Sequence, residues 1–353
     1  MNLVDGPIDV HAHLLMPSLA REIEFRDPAG AAAAADLEAR RNGPASLAAS
    51  GRMIGDRIAL LTEPDARLGA MDAQGVAVQV VSPSPSHYYP WADEDLAVWA
   101  AREANRLIAA HVGQAPDRLA GLGLVPLQHP QHMVECLEDA VLAHGLRGVE
   151  ISSFAGDVEL SDARLEGVWT RCEELQALVF LHPFGCSLDD RLDRYYLSNT
   201  AGQPVENAVA LSHLIFAGVL DRHPGLRIVA AHGGGYLPTV IGRSDRAWEV
   251  RPEARECAER PSAYLGRLWY DTVVHDRRTL ENLVAAVGQD RVLLGSDFPF
   301  DMGSDDPVAL VRSAALPGYA LEGILSGNAA ALLARGCPGA GSDSGSSRQE
   351  NRA

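Results

Sequence analysis

No stretch of this 353-residue chain approaches about 18 consecutive apolar residues, so a membrane-spanning helix is not expected. The first residues, MNLVDGPIDV, lack a basic segment followed by a long apolar run, so no secretory leader is expected either. The five cysteines (Cys136, Cys172, Cys186, Cys257 and Cys337) form no CxxC pair. An odd, dispersed set argues against a disulfide framework and for reduced thiols in a cytoplasm. Positive charge is scarce: 30 Lys and Arg against 47 Asp and Glu give a formal net charge of −17. That balance disfavours nucleic acid or an anionic membrane as partner. It leaves the substrate open, since a local cationic pocket can sit inside an acidic protein. No internal repeat of fixed period is present.

The apolar fraction of 47% suffices for a large core. The length suits two average domains, or one α/β barrel of about 250 residues or more. Eight short, β-branched apolar runs stand out: Ile8–His13, Val76–Pro83, Leu119–Pro126, Gly148–Ser152, Leu178–Pro183, Arg227–His232, Leu268–Val273 and Val292–Pro299. Between them, stretches such as EDLAVWAAREANRLIAAHV repeat apolar residues at three- and four-residue intervals, the helical period. Alternation of strand and helix implies parallel strands joined by crossovers, hence the α/β class. Eight units fit a closed (β/α)8 TIM barrel better than an open sheet, which would show a glycine-rich phosphate loop after its first strand. Two connections are long, residues 17–70 and 185–226. An insertion of the first kind is expected to be a lid, a subunit contact or a disordered segment. The Gly/Ser-rich tail over 336–353 is expected to be disordered, leaving 1–335 as the folded barrel.

The first run ends in His11-Ala12-His13. On a strand these two imidazoles share a face, as a divalent cation would require. Alone the pair reads equally as two exposed histidines at a strand end. In a barrel the test is the C-terminal rim, where active sites lie. Strand five delivers His182, strand six His232 before three glycines, and strand eight Asp297. Twelve histidines could place one or two at strand ends by chance, and an Asp after Gly-Ser can be a helix cap. Jointly the set points to chemistry. His11, His13, His182 and Asp297 offer three nitrogens and one oxygen, leaving a position open. His232 remains as general acid/base. The fourth strand, RGVEIS, ends without a lysine to bridge two metals, so one metal is the simpler count.

These residues resemble those of the amidohydrolase superfamily, in the branch of 2-amino-3-carboxymuconate-6-semialdehyde decarboxylase. The resemblance runs from Ile8 to about Leu333, through IDVHAH, RLGAMDAQGVAVQVVS, LVFLHPFG, AHGGGYLPTVIGRSDRAW, VLLGSDFPFDMG and GILSGNAAALL. It implies a distorted barrel with an excursion between strands one and two, a single zinc ion (manganese in some relatives) and a homodimer. It implies His11, His13, His182 and Asp297 as ligands and His232 as acid/base. Arg243 matches the arginine that reaches into the neighbouring subunit's site to bind a substrate carboxylate; the alternative is a surface pair with Asp245. A second substrate arginine falls near Arg57, displaced by one residue, or on Arg52. Tyr195-Tyr196 stand where the namesake has an active-site tryptophan. Tyr196, Phe298 and Phe300 would line an aromatic-friendly pocket or simply pack. Asp271, His275 and Asp276 would orient the site or cap a helix. The implied activity is metal-dependent, non-oxidative decarboxylation of an unsaturated or aromatic carboxylate. A hydrolase or hydratase acting on a lactone, amide or conjugated acid is the alternative, and a metal-stabilised scaffold the third reading.

Overall fold

The computed structural model of the chain describes residues 5–334. Its strands follow the eight expected runs. β1 (Ile8–Leu14) pairs in parallel with β2 (Val78–Pro83), and β2 with β3 (Leu119–Gly121). The third run is broken at Leu122, whose N–H donates to Val81 O at 2.9 Å, and resumes as β4 (Gly123–Leu124). β4 pairs with β5 (Gly148–Ile151). A small antiparallel hairpin, β6 (Phe154–Ala155) with β7 (Val158–Glu159), follows without any signal in the sequence reading. β5 then pairs with β8 (Leu178–Leu181), and the sheet continues through β9 (Arg227–Ala230), β10 (Trp269–Asp271) and β11 (Val292–Leu293). Closure runs from the chain after β11 back to β1. Val10 N–H donates to Leu294 O (2.9 Å), Asp297 N–H to His11 O (2.9 Å) and His13 N–H to Phe298 O (2.7 Å). The barrel is therefore closed, as expected, and distorted at its third and eighth strands.

The insertion between the first two strands is helical: α1 (Pro17–Arg26), α2 (Pro28–Thr62) and α3 (Pro64–Gln74). Each starts on a proline, whose missing N–H costs nothing in the first turn. Asp27 caps α2 by accepting from Gly30 N–H at 2.9 Å. α2 breaks at Gly43-Pro44, where Gly43 has φ 73°, a conformation glycine reaches without strain. Long helices this polar hold only by docking. Here Arg40 reaches Asp193 (2.5 Å) and Arg57 donates to Pro299 O (2.7 Å) and Phe300 O (3.2 Å), so α2 spans from the loop after β8 to the loop after β11.

The remaining helices are α4 (Glu94–Val112), α5 (Pro130–Glu138), α6 (Glu166–Leu175), α7 (Gln203–Phe216), α8 (Val219–Arg222), α9 (Leu237–Val250), α10 (Arg277–Val287), α11 (Pro307–Ser313), α12 (Gly318–Glu322) and α13 (Asn328–Ala334). α4 shows why they form. Asp93 caps it, and Leu96, Ala97, Ala100, Ala101, Ala104 and Ile108 bury one stripe against the strands. Two cores result. One lies between helices and sheet; the other fills the barrel with Ile8, Val10, Val78, Val80, Phe180, Val229 and Leu293, and α13 closes its bottom with Ala329, Leu332 and Leu333. Each buried Val, Leu, Ile or Phe side chain here contributes about 1.5–3 kcal/mol. The polar tail over 336–353 and Cys337 lie outside the described residues.

Candidate metal centre

Simple alternation on β1 would put His11 and His13 on the face opposite Ile8 and Val10. The pairing with β2 prevents this: Asp9 stands opposite Gln79 but Ala12 opposite Val81, so β1 carries one extra residue. Such a bulge switches the face of the strand. Ile8 and Val10 fill the barrel, and His11 then sits directly on this core, its ring centroid 4.8 Å from that of Phe180. Both histidines point inward at the rim and are fully buried.

There they meet the other expected residues. One ligand atom from each of His11, His13, His182 and Asp297 lies within 4.8 Å of all the others. The Nε2 atoms of His11 and His13 are 3.0 Å apart, and Asp297 Oδ1 lies 3.4 and 3.2 Å from them. His182 is buried, yet neither ring nitrogen has a hydrogen-bond partner. A buried imidazole without partners is costly unless a ligand satisfies it. The electrostatics agree. Burial opposes charge on His11, but Asp297 and Asp271 overcome it and push the imidazole up to about 10. Burial raises the Asp297 carboxyl, yet His11, His13 and His232 hold it well below the usual carboxylate range. Burial, joined by His13, His232 and His11, holds His182 well below the usual imidazole range. The cluster thus favours positive charge at its centre and keeps the His182 nitrogens neutral, and its three imidazoles and one carboxylate are a donor set that fits a divalent cation of the zinc or manganese kind. The chain contains no lysine at all, and the fourth strand presents Glu150.

Around this set stands a second layer that the sequence reading left undecided. Asp271, fully buried at the end of β10, accepts four hydrogen bonds. Oδ2 receives His11 Nδ1 (2.6 Å) and His232 N–H (3.0 Å); Oδ1 receives Gly233 N–H (2.9 Å) and Val273 N–H (3.1 Å). It fixes the His11 tautomer so that Nε2 faces the cluster. His13 Nδ1 is directed at Pro83 O (3.0 Å). Fully buried Glu150 accepts from Tyr88 Oη at 2.6 Å and lies 3.8 Å from His13 Nδ1; burial raises its carboxyl. Below β1, Asp9 accepts from Ser296 Oγ (2.5 Å) and Gln79 Nε2 (2.9 Å), while buried Arg67 joins Gln79 Oε1 (2.7 Å) to His13 O (2.6 Å). This lattice locks the strand that carries both histidines.

The other sequence candidates divide. His232 sits at the rim with Nε2 3.6 Å from Asp297 Oδ2, and its side chain is 14% exposed. His232 (φ 54°) and Asp297 (φ 60°) both hold left-handed backbone, a strain that persists where surrounding structure enforces it. Gly235 must be glycine: a Cβ there would lie 2.1 Å from Pro204 O. Tyr196 is half-buried, and burial, Asp301 and Asp297 raise its phenol, so it faces the Asp297 side. Phe298 is corrected: adjacent to Asp297, it points the other way, buried under the Arg67 guanidinium at 5.2 Å, and Phe300 takes its place with its ring 5.3 Å from that of His13. Arg57 is engaged on the backbone of Pro299 and Phe300 rather than held free at the rim, and Arg52 is exposed. Arg243 is exposed on α9 and makes no ion pair with Asp245, whose Oδ1 accepts from Ser262 N–H. His275 is exposed, and Asp276 caps α10 through Thr279 N–H.

Over 331 residues the chain is 32% identical to a 2-amino-3-carboxymuconate-6-semialdehyde decarboxylase of Dictyostelium discoideum, covering 92% of this chain and 91% of that one. It is 29% identical to a gamma-resorcylate decarboxylase of Rhodococcus jostii, over 69% of this chain and 79% of the relative. In fold it is similar to a crystal structure of a dihydroxybenzoic acid decarboxylase from Polaromonas with bound manganese and the inhibitor 2-nitroresorcinol. There the TM-score is 0.76 and identity 24%, over 94% of this chain and 97% of the other. Residues 8–335 match the family described as Amidohydrolase, and the chain belongs to that family.

Proposed function

We propose that this protein is a metal-dependent, non-oxidative decarboxylase of an unsaturated or aromatic carboxylate. The carrying observation is the buried His11–His13–His182–Asp297 set with His232 beside it, in a chain whose relatives bear decarboxylase names. His11 Nε2, His13 Nε2, a ring nitrogen of His182 and an oxygen of Asp297 would hold one divalent ion, zinc or manganese. When bound, that ion supplies a Lewis acid that orients substrate oxygens and offsets developing negative charge. His232 supplies the proton. As the bond between the ring or alkene carbon and the carboxylate breaks, carbon dioxide leaves and the imidazole proton goes to that carbon. Asp271 keeps His11 in the ligating tautomer and anchors the His232 backbone. Phe300 and Tyr196 give the planar substrate an aromatic wall.

The active unit is a homodimer in which Arg243 reaches the neighbouring site to clamp a carboxylate, a task suited to its planar fork. Supporting this, Tyr236 at the N-cap of α9 and Val240 within it are 45% and 51% exposed, about two turns and one turn before Arg243. The helical insertion serves as cover and dimer arm. A cytoplasmic setting is proposed on Cys136, Cys172, Cys186 and Cys257, all free and buried; no helix among the described residues is long and apolar enough to cross a membrane. The test is carbon dioxide release by metal-loaded protein from a panel of unsaturated and hydroxylated aromatic carboxylates. His232→Asn is expected to lower the rate by about 10²–10⁴. Hydrolysis products without carbon dioxide would instead select the hydrolase reading.

A further inference from the structure

Beside the metal cluster, and lined by none of its four candidate ligands nor by His232, lies a cavity of about 770 Å³. One wall is the alanine run at the start of α2. Residues three and four apart share a helix face, so Ala31, Ala34, Glu38 and Arg41 form the side turned to the cavity. The opposite wall is aromatic: Tyr88, Trp91, Phe154 and Phe184. Trp91 seals one end by lying against Gly30, where a Cβ would come within 2.4 Å of the indole. The short alanine side chains leave this space between α2 and the aromatic wall unfilled. A volume of this size lies in the range of pockets that enclose a whole drug-sized ligand, well beyond a single ring.

Two connections tie the cavity to the metal cluster. Tyr88, from its wall, donates to Glu150 Oε1 (2.6 Å) and lies 3.2 Å from His182 O. Phe184 and Gly185 follow His182 by two and three residues. Arg41 stands at the seam, lining both the cavity and an adjoining recess that contains Tyr196. Its guanidinium is under-used. The bonds to Glu38 Oε1 and Cys186 O are both 3.5 Å, longer than a good hydrogen bond, and the buried Nε has no partner.

We propose that the cavity receives an apolar arm of the substrate and that Arg41 pairs with an oxygen of that substrate at the seam. The substrate class is thereby narrowed to unsaturated or aromatic carboxylates bearing an aryl or alkyl arm, rather than bare single-ring acids. This rests on the decarboxylase reading for the identity of the reacting group, but the arm site is tested separately by binding. Metal-loaded protein is titrated calorimetrically with 2-hydroxybenzoate and with its 4- and 5-phenyl and 4- and 5-hexyl derivatives, and carbon dioxide release is followed on the same set.

At least one arm-bearing acid is expected to bind tenfold or more tightly than the parent. Ala34→Phe, which projects a ring into the cavity from the α2 wall and so obstructs the arm, should erase that advantage while leaving parent binding unchanged. Arg41→Met should weaken parent and derivative alike. Unchanged parent binding reports an intact fold; if Ala34→Phe does not fold, Ala34→Leu carries the same comparison. Arms that add no affinity in the wild type, or an advantage that survives both Ala34 variants, would overturn the proposal. Tight, Ala34-sensitive binding without carbon dioxide would keep the cavity site and sink the decarboxylase reading.

Discussion

Asp271→Asn is the substitution on which the geometry speaks most sharply. Each carboxylate oxygen of Asp271 accepts from two donors: His11 Nδ1 and His232 N–H on Oδ2, Gly233 N–H and Val273 N–H on Oδ1. An asparagine has one acceptor oxygen and one donor NH₂, so it can serve only one of the two pairs. If the NH₂ faces His11, the imidazole must turn its Nδ1 into an acceptor and protonate Nε2, the atom aimed at the cluster. Losing such an outer partner lowers metal affinity about 10–100-fold, or roughly 1.4–2.8 kcal/mol. If the NH₂ faces the other way, two buried backbone N–H groups lose their acceptor, at about 1–3 kcal/mol each. The amide takes the cheaper orientation, and neither is free.

The assays are metal affinity by competition with a chromogenic chelator and stability by denaturant unfolding of metal-free protein. The expected outcome is a loss of at least tenfold in affinity, or of at least about 1 kcal/mol in stability, in the same variant. The reasoning is falsified if Asp271→Asn binds metal within twofold of wild type and unfolds at the same midpoint.

Three further outcomes are expected. His11 is pushed up to about 10 in the folded metal-free protein, against 6.5 ordinarily. Its contribution to stability is therefore full below about pH 6.5 and is lost as pH rises through about 10. Uptake of a cation near pH 8 must then expel that proton, and titrations in two buffers of different ionisation enthalpy should reveal it; equal heats would refute the assignment. Tyr88→Phe removes the hydroxyl that donates to Glu150, which is fully buried, and should cost about 1–3 kcal/mol by urea unfolding. Arg57→Met releases the carbonyls of Pro299 and Phe300 just after Asp297 and should cost about 1 kcal/mol, with kcat reduced more than KM raised. An unchanged kcat would show that this loop needs no such restraint.

The sequence made the barrel legible because each parallel strand, buried on both faces, appears as a short β-branched run between helical periods. The candidate metal set was legible for a related reason: His11, His13, His182 and Asp297 lie at the ends of three of those runs, and a barrel gathers strand ends. Aromatic roles were harder to read. Phe298 and Phe300 are near neighbours in the same loop, yet one supports Arg67 while the other faces His13. Nor could the chain's order reveal that an insertion with an alanine run would be held across the mouth by Arg40 and Arg57, since both contacts join residues more than 150 positions apart.

Local pattern by itself determined the strand–helix alternation, the eight runs and the four candidate donor residues, because periodicity and side-chain chemistry are properties of neighbours along the chain. Tertiary structure decided the rest. The extra residue in β1 exists only in its register with β2, and that register turns His11 and His13 onto the same side as Val10. Asp271 becomes the orienting carboxylate only because β10 brings it 2.6 Å from a histidine 260 residues away. The cavity under α2 is space enclosed by segments from five parts of the chain, and enclosed space has no sequence signature.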